Sequence, residues 1–83
     1  MPVSVHHPRY QALRALLAEV RVAAGLTQTQ LAERLQVGQS YVSKIERGEA
    51  YVDVILFADW CGACGVRPEA AWRRMGEGEA GMA

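Results

Sequence analysis

Four polar side chains between positions 39 and 44 have the types and spacing needed to hydrogen-bond to the edges of nucleic-acid bases. They are Gln39, Ser40, Ser43 and Lys44. A glutamine amide can pair with adenine, a lysine ammonium can donate to guanine O6 and N7, and a serine hydroxyl can bond to either base. Tyr41 lies among them and can pack on a thymine methyl group or lie along a phosphate. If one helix carries these residues, its leading turns form a surface suited to base contacts.

Two short helical patterns are available to position this surface. Thr27, with Gln30 three residues later, forms the sequence signature of a capping box at the start of a helix. An apolar stripe at helical spacing follows through Leu31, Ala32 and Leu35. The pattern therefore predicts a first helix of about two turns, with small Ala32 at a close crossing of two helices.

The second pattern begins after a gap that is long enough only for a turn. Residues 36–38 interrupt the apolar stripe, with Val37 as an apolar plug in the turn. Val42 and Ile45 anchor the next helix, and Gly48 supplies the left-handed residue that ends it. Together, the two patterns predict a helix-turn-helix.

The run AGLTQTQLAERLQVGQSYVSKIERGE, residues 24–49, resembles the Cro/repressor (XRE) family of helix-turn-helix DNA-binding proteins. The similarity includes the GLTQ start of the second helix and the third-helix pattern QSxVSxIExG, and it extends over residues 10–75. The resemblance implies an all-α, compact five-helix, lambda-repressor-like domain. It also implies that the third helix enters the major groove of double-stranded DNA and that two copies bind a palindromic operator as a homodimer.

The resemblance assigns roles to particular residues. Base readout is expected from Gln39, Ser40, Tyr41, Ser43 and Lys44, and phosphate contacts from Gln28, Thr27 and Arg47. Arg21 and Glu46 match a pair that joins the first helix to the third, so we interpret them as a structural salt bridge. One position departs from the family pattern: Gln36 stands where glycine usually opens the turn. A left-handed conformation there costs a residue other than glycine about 1 kcal/mol or more.

Helical patterns also flank the helix-turn-helix. We predict a flexible lead over residues 1–8, a DNA-binding domain over residues 9–75 and a disordered tail over residues 76–83. Within the domain, a first helix is expected from Arg9 to about Ala24, a fourth from Asp53 to about Cys64 and a fifth from Pro68. The fourth is apolar on more than one face and is predicted to be the most buried helix. Trp60, Trp72 and Met75 are predicted to form the dimer interface.

The segment VDVILFADWCGACG supports a competing interpretation, because a Trp before a CGxC pair resembles the redox site of thioredoxins. That fold needs further strands and helices after its motif, and only 19 residues follow Cys64. On the predicted fourth helix the two cysteines instead become small buried hydrophobic residues. We predict no metal site, since His6 and His7 point apart and lie far from the cysteines. We also predict no cofactor and no catalytic site.

Composition sets outer limits on function. The chain has 83 residues, 51% of them hydrophobic, and a formal net charge of zero. Residues 1–50 carry six basic and four acidic side chains, whereas residues 51–83 carry three basic and five acidic ones. No signal peptide or membrane span is evident, so we expect a cytoplasmic, bacterial or phage-type protein. The sequence thus predicts a DNA-binding transcriptional regulator, a repressor or autoregulator. The alternative is a protein–protein adaptor or antitoxin module on the same fold.

Overall fold

The computed structural model describes residues 4–80, with side chains through Gly76, and every regular element in that range is an α-helix. The helices are α1 (Pro8–Ala23), α2 (Gln28–Leu35), α3 (Gln39–Arg47), α4 (Val54–Ala63) and α5 (Pro68–Ala80). The predicted all-α, five-helix domain is confirmed. None of the helices described is long and apolar enough to cross a bilayer.

Four of the helices end in the same hydrogen-bonded motif. At the end of α1, the Leu26 N–H donates to Arg21 O and the Gly25 N–H donates to Val22 O, which is the Schellman pattern. The pattern recurs after α2, α3 and α4. The left-handed residue is Gly25, Gly48 or Gly65 in three cases and Gln36, with φ 59°, in the fourth. The predicted left-handed conformation of Gln36 is therefore present.

The core lies where α3 packs against α1 and α2, and where α4 packs against α2 and α5. Its fully buried side chains include Leu17, Leu31, Val42, Ile45 and Trp60. The indole Nε1 of Trp60 donates to the Leu17 carbonyl oxygen at 3.0 Å. This bond satisfies the single polar atom of the largest core residue, so α4 is fixed against α1.

Two predictions about the outer elements were wrong, and a third holds only in part. Helix α1 begins at Pro8, because proline suits the first helical position, and the His7 ring caps it by accepting from the Arg9 N–H at 3.1 Å. Residues 76–80, predicted to be disordered, continue α5; residues 1–3 and 81–83 lie outside the described range. Helix α4 was predicted to be buried on more than one face, and it supplies Trp60 and Cys61 to the core, but Val54 and Ile55 in its first turn are 80% and 70% exposed.

Candidate DNA interface

Helix α3 is anchored on one side and open on the other. Val42 and Ile45 are completely buried, which fixes the rotation of the helix about its axis. The opposite side carries the predicted base-contacting residues. Gln39, Ser40, Tyr41 and Lys44 are exposed, and Ser43 is partly exposed. The structure therefore places all five on the accessible surface of one helix, with Tyr41 at its margin, only 39% exposed.

The side chain of Gln28 links α2 to both ends of α3. Its Nε2 donates to Glu46 Oε1 at 2.9 Å, and its Oε1 accepts from Gln39 Nε2 at 2.9 Å. Gln28 was predicted to contact phosphate, and its amide is already engaged by protein partners. In this arrangement it aligns Gln39, while the backbone N–H of Gln28 remains at the N-terminus of α2.

Glu46 is also the partner of Arg21. The guanidinium donates to both carboxylate oxygens, from Nε at 2.7 Å and from Nη2 at 3.1 Å, and its Nη1 donates to Leu26 O at 2.8 Å. The two side chains are only 15% and 10% exposed. The expected structural salt bridge is thus present, and this bidentate pair fixes α1 to α3.

Thr27 begins α2 with a complete capping box. Its Oγ1 accepts from the Gln30 N–H at 3.0 Å, and its own N–H donates to Gln30 Oε1 at 2.9 Å. The N–H groups of Gln28 and Thr29, the first two helical residues, take no part in the box. Such groups, together with the positive end of the helix dipole, form a suitable site for a phosphate.

Arg47 has intramolecular partners at the end of α3. Its Nε donates to Glu49 Oε2 at 2.6 Å, and its Nη1 donates to Ser43 Oγ. The hydrogen bond from Arg47 also holds the pKa of the Glu49 carboxyl below its usual value. Both side chains are 53% exposed, so a phosphate that binds the Arg47 guanidinium must compete with Glu49.

Arg14 is a positioning residue that the sequence patterns did not single out. Its guanidinium lies over the C-terminus of α3, where Nη1 donates to Glu46 O at 3.4 Å. A Cβ at Gly48 would come within 2.5–2.9 Å of that guanidinium. The φ of 80° favours glycine at position 48, and a Cβ there would also force the end of the flexible Arg14 side chain to move. The only related signal in the sequence was the predicted end of α3 at Gly48, which does not by itself predict the contact with Arg14.

The residues predicted for a dimer interface do not share one environment. Trp60 is fully buried and bonded to Leu17, so its assignment to an interface is wrong. Trp72 on α5 is 57% exposed, and its ring packs edge-on against Phe57 with centroids 6.1 Å apart. Met75 is partly buried against the core. Trp72 and Met75 remain a predicted interface.

The two cysteines are free thiols. Cys61 is buried and Cys64 is partly buried, and burial raises the pKa of each thiol. Within the described residues, no group of three or more His, Cys, Asp or Glu side chains is arranged to hold a metal ion. The environment of the thiols is thus that of core residues.

Comparisons with known proteins agree with this geometry. A helix-turn-helix family model, HTH_3, matches residues 17–70. Among solved structures, an XRE-family-like protein from Pseudomonas syringae pv. tomato is 48% identical, with a TM-score of 0.81 over 88% of this chain and 89% of the other. The clp gene regulator ClgR from Corynebacterium glutamicum is 33% identical, with a TM-score of 0.74 over 84% of this chain and 74% of the other. A comparison with curated protein sequences returned no significant match.

Proposed function

The chain belongs to the XRE family of helix-turn-helix proteins, and as such it is a DNA-binding transcription regulator; we propose that it acts as a repressor or autoregulator that binds a palindromic operator as a homodimer. Two-fold symmetry in the protein matches two-fold symmetry in the operator, with half-sites about one helical turn apart. Bound over a promoter, such a dimer excludes polymerase.

The observation that carries the DNA-contact part of the proposal is the hydrogen bond from Gln39 to Gln28. A glutamine Nε2 has two hydrogens, and Gln39 gives one of them to Gln28 Oε1. The second hydrogen can donate to N7 of an adenine, and Gln39 Oε1 can accept from the N6 amino group of the same base. Because Gln39 is exposed at the first position of α3, this pairing supports sequence-specific contact.

Lys44 and the N-terminus of α2 support the same proposal. Lys44 is exposed one turn after Ser40 and supplies a positive charge for a guanine edge or a phosphate. Phosphate contacts from the α2 backbone would position the domain without carrying sequence information. The proposed roles are base readout for Gln39, Ser40, Ser43 and Lys44, with Tyr41 at the margin.

Selection from a random duplex library followed by titration tests this function. We expect enrichment of an inverted repeat, and binding that weakens steeply with salt, with log K falling by about 0.9 per neutralised phosphate as log salt rises. The control is a scrambled duplex of the same composition. Equal affinity for both duplexes at moderate salt would refute sequence-specific binding. A promoter carrying the selected site should be silenced in a transcription assay; activation would refute the repressor role.

A further inference from the structure

An apolar groove lies between α1, α4 and α5, and none of the residues proposed to contact DNA lines it. Its volume is about 500 Å³, which falls within the range of small-molecule sites in proteins. Val54 on α4 and Trp72 on α5 are 80% and 57% exposed at its walls. The apolar side chains that line it are Leu13, Val52, Val54, Phe57, Pro68 and Trp72. The groove therefore offers an accessible apolar surface of ligand size.

The charged side chains of the groove are both acidic. Asp53 caps the start of α4, Glu69 lies in the first turn of α5, and in the described part of the chain no basic residue lines the groove. Each carboxylate thus lies at the N-terminal end of a helix, where the helix dipole contributes about half a positive charge. Two full negative charges exceed these two halves, so the groove keeps a net charge of about −1. A site of this kind attracts a cation and repels an anion.

Both carboxylates can reach a ligand. Asp53 Oδ1 accepts from the Leu56 N–H at 2.7 Å, which caps α4. The second oxygen, Oδ2, takes no part in this cap, and Asp53 and Glu69 are both exposed. A cation bound between them would therefore gain two charged acceptors without breaking the cap of α4.

The aromatic part of the groove suits an organic cation. The rings of Phe57 and Trp72 pack edge-on, with centroids 6.1 Å apart and an interplanar angle of 86°. Phe57 thus supports the Trp72 ring, which remains more than half exposed. An indole ring offers a large apolar surface to the body of a ligand, and its face also attracts a positive charge.

A second hollow indicates the orientation of such a ligand. It has a volume of about 250 Å³ and shares Leu13 and Trp72 with the groove. Arg9 lines this hollow, so positive charge lies beyond Trp72, whereas the two carboxylates lie in the groove itself. A bound cation would therefore hold its charge near Asp53 and Glu69 and extend its apolar body toward Trp72.

We propose that the groove binds a small organic ammonium ion with an apolar body, of the arylalkylamine class. The ammonium group pairs with Asp53 and Glu69, and the apolar body packs on Leu13, Phe57 and Trp72. A second copy of the chain is a poorer occupant, because it would bring two more carboxylates to the same surface. The ligand site goes beyond the proposed function and does not depend on it.

Tryptophan fluorescence of the full chain tests the site, because the chain has two tryptophans and Trp60 is fully buried. The probe is phenylbutylammonium. Phenylbutanol and phenylbutyrate carry the same body with no charge and with a negative charge. We expect the cation to shift the Trp72 emission to shorter wavelength, with a dissociation constant on the order of 0.1–1 mM. The alcohol should bind about fivefold more weakly, and the carboxylate more weakly still.

Four variants separate the charged part of the site from the apolar part. Asp53→Asn keeps a capping side chain, and Asp53→Asn and Glu69→Gln should each weaken binding about two- to fivefold. Asp59→Asn makes the same charge change at an exposed position of α4 outside the groove and should leave binding unchanged. Trp72→Ala removes the apolar wall and should weaken binding about tenfold or more, measured by titration calorimetry because the fluorescent reporter is lost. Thermal melts by circular dichroism should remain cooperative, since all four altered residues are exposed.

Failure of the site and failure of the proposed function give different results, because ligand binding is measured without DNA. A chain that binds the selected duplex but not phenylbutylammonium would overturn the groove site and leave the regulator standing. A chain that binds phenylbutylammonium but no duplex would support the groove site and refute the DNA-binding proposal.

Four further outcomes would overturn the ammonium site. Equal binding of the three probes would show an apolar surface without charge selectivity. An equal loss of binding in Asp59→Asn and Asp53→Asn would show an effect of net charge alone. A Trp72 emission that shifts with protein concentration, and that no probe changes, would assign the groove to a second copy. Binding of a basic amphipathic peptide, without binding of phenylbutylammonium, would assign it to a protein partner.

Discussion

Gln39 Nε2 lies 2.9 Å from Gln28 Oε1, so the first residue of α3 is hydrogen-bonded to the first residue of α2. Gln28 is itself bonded to Glu46, which is bonded to Arg21. The orientation of the leading glutamine is therefore linked through side chains to α1. Such preorganisation reduces the ordering cost of contact with a base.

Loss of either glutamine should relax base preference at one position. Gln39→Ala removes the bidentate contact and should cost about 1–3 kcal/mol on the selected duplex and much less on a duplex altered at that base pair. Gln28→Ala should reduce the same discrimination in part, because Gln39 loses its partner. Fluorescence anisotropy on duplexes with all four base pairs at each position measures both effects.

A matched pair of outcomes separates base readout from phosphate contact. If Gln39→Ala weakens every duplex equally, Gln39 contacts the backbone. If Gln28→Ala weakens binding to every duplex equally and leaves base preference unchanged, Gln28 contacts a phosphate, as the sequence pattern first indicated. Its effect on binding would then not depend on Gln39.

Removal of Glu46 should destabilise the domain more than it weakens base recognition. Glu46→Ala leaves the largely buried Arg21 guanidinium without its carboxylate and should cost about 3–5 kcal/mol of the free energy of unfolding. Urea denaturation measures this loss. In a double-mutant cycle, Arg21→Ala combined with Glu46→Ala should cost less than the sum of the single changes. Strict additivity would show that the pair is not coupled.

The boundaries of α2 and α3, the end of α1 and the buried side of α3 follow from local signals, which explains why the sequence predicted them. Capping at Thr27, the apolar positions Val42 and Ile45, and the ends at Gly25 and Gly48 are each local in the chain. The choice of hydrogen-bond partner for a polar side chain is not determined by local sequence. The Gln28 amide can bond to phosphate, to Glu46 or to Gln39, and only the packing of α2 on α3 decides among them.

The apolar first turn of α4 shows a second limit of sequence-based inference. Val54 and Ile55 are hydrophobic, so the pattern predicted burial, yet composition alone cannot tell a core face from a face left for another molecule. The helical continuation of α5 through residues 76–80 was missed for a similar reason. Two glycines lower helix propensity there, and propensity is only a weak guide to structure.

Neutralising Glu49 should strengthen DNA binding. Glu49→Gln removes the carboxylate that holds Arg47, so the guanidinium becomes available to a phosphate. We expect higher affinity and a salt dependence steeper by about 0.9 per added contact. Stability should change little, because both partners are half exposed. Asp59→Asn makes the same change in net charge on α4; if it strengthens binding as much as Glu49→Gln does, the effect is one of net charge.

The thiols should be unreactive in the native protein. Burial raises the pKa of both Cys61 and Cys64, so less thiolate is present at neutral pH than in an exposed cysteine. Reaction with a disulfide reagent should be slow for Cys64 and should require unfolding for Cys61. Cys61→Ser and Cys64→Ser assign the two rates. Rapid reaction of native Cys61 near pH 7, together with reduction of insulin disulfides, would revive the redox interpretation.

Gln36→Gly should stabilise the protein, because Gln36 is the one residue other than glycine with positive φ in the part of the chain described. Glycine relieves a left-handed strain of about 1–2 kcal/mol. It also increases the entropy of the unfolded chain, which offsets part of that gain. We expect a net increase of about 0.5–1 kcal/mol in the free energy of unfolding. Ala12→Gly, at an exposed position of α1, provides the opposite case and should cost about 0.5–1 kcal/mol. If Gln36→Gly destabilises as much as Ala12→Gly, the turn carries no strain at Gln36, and the entropy of the unfolded chain alone accounts for the loss.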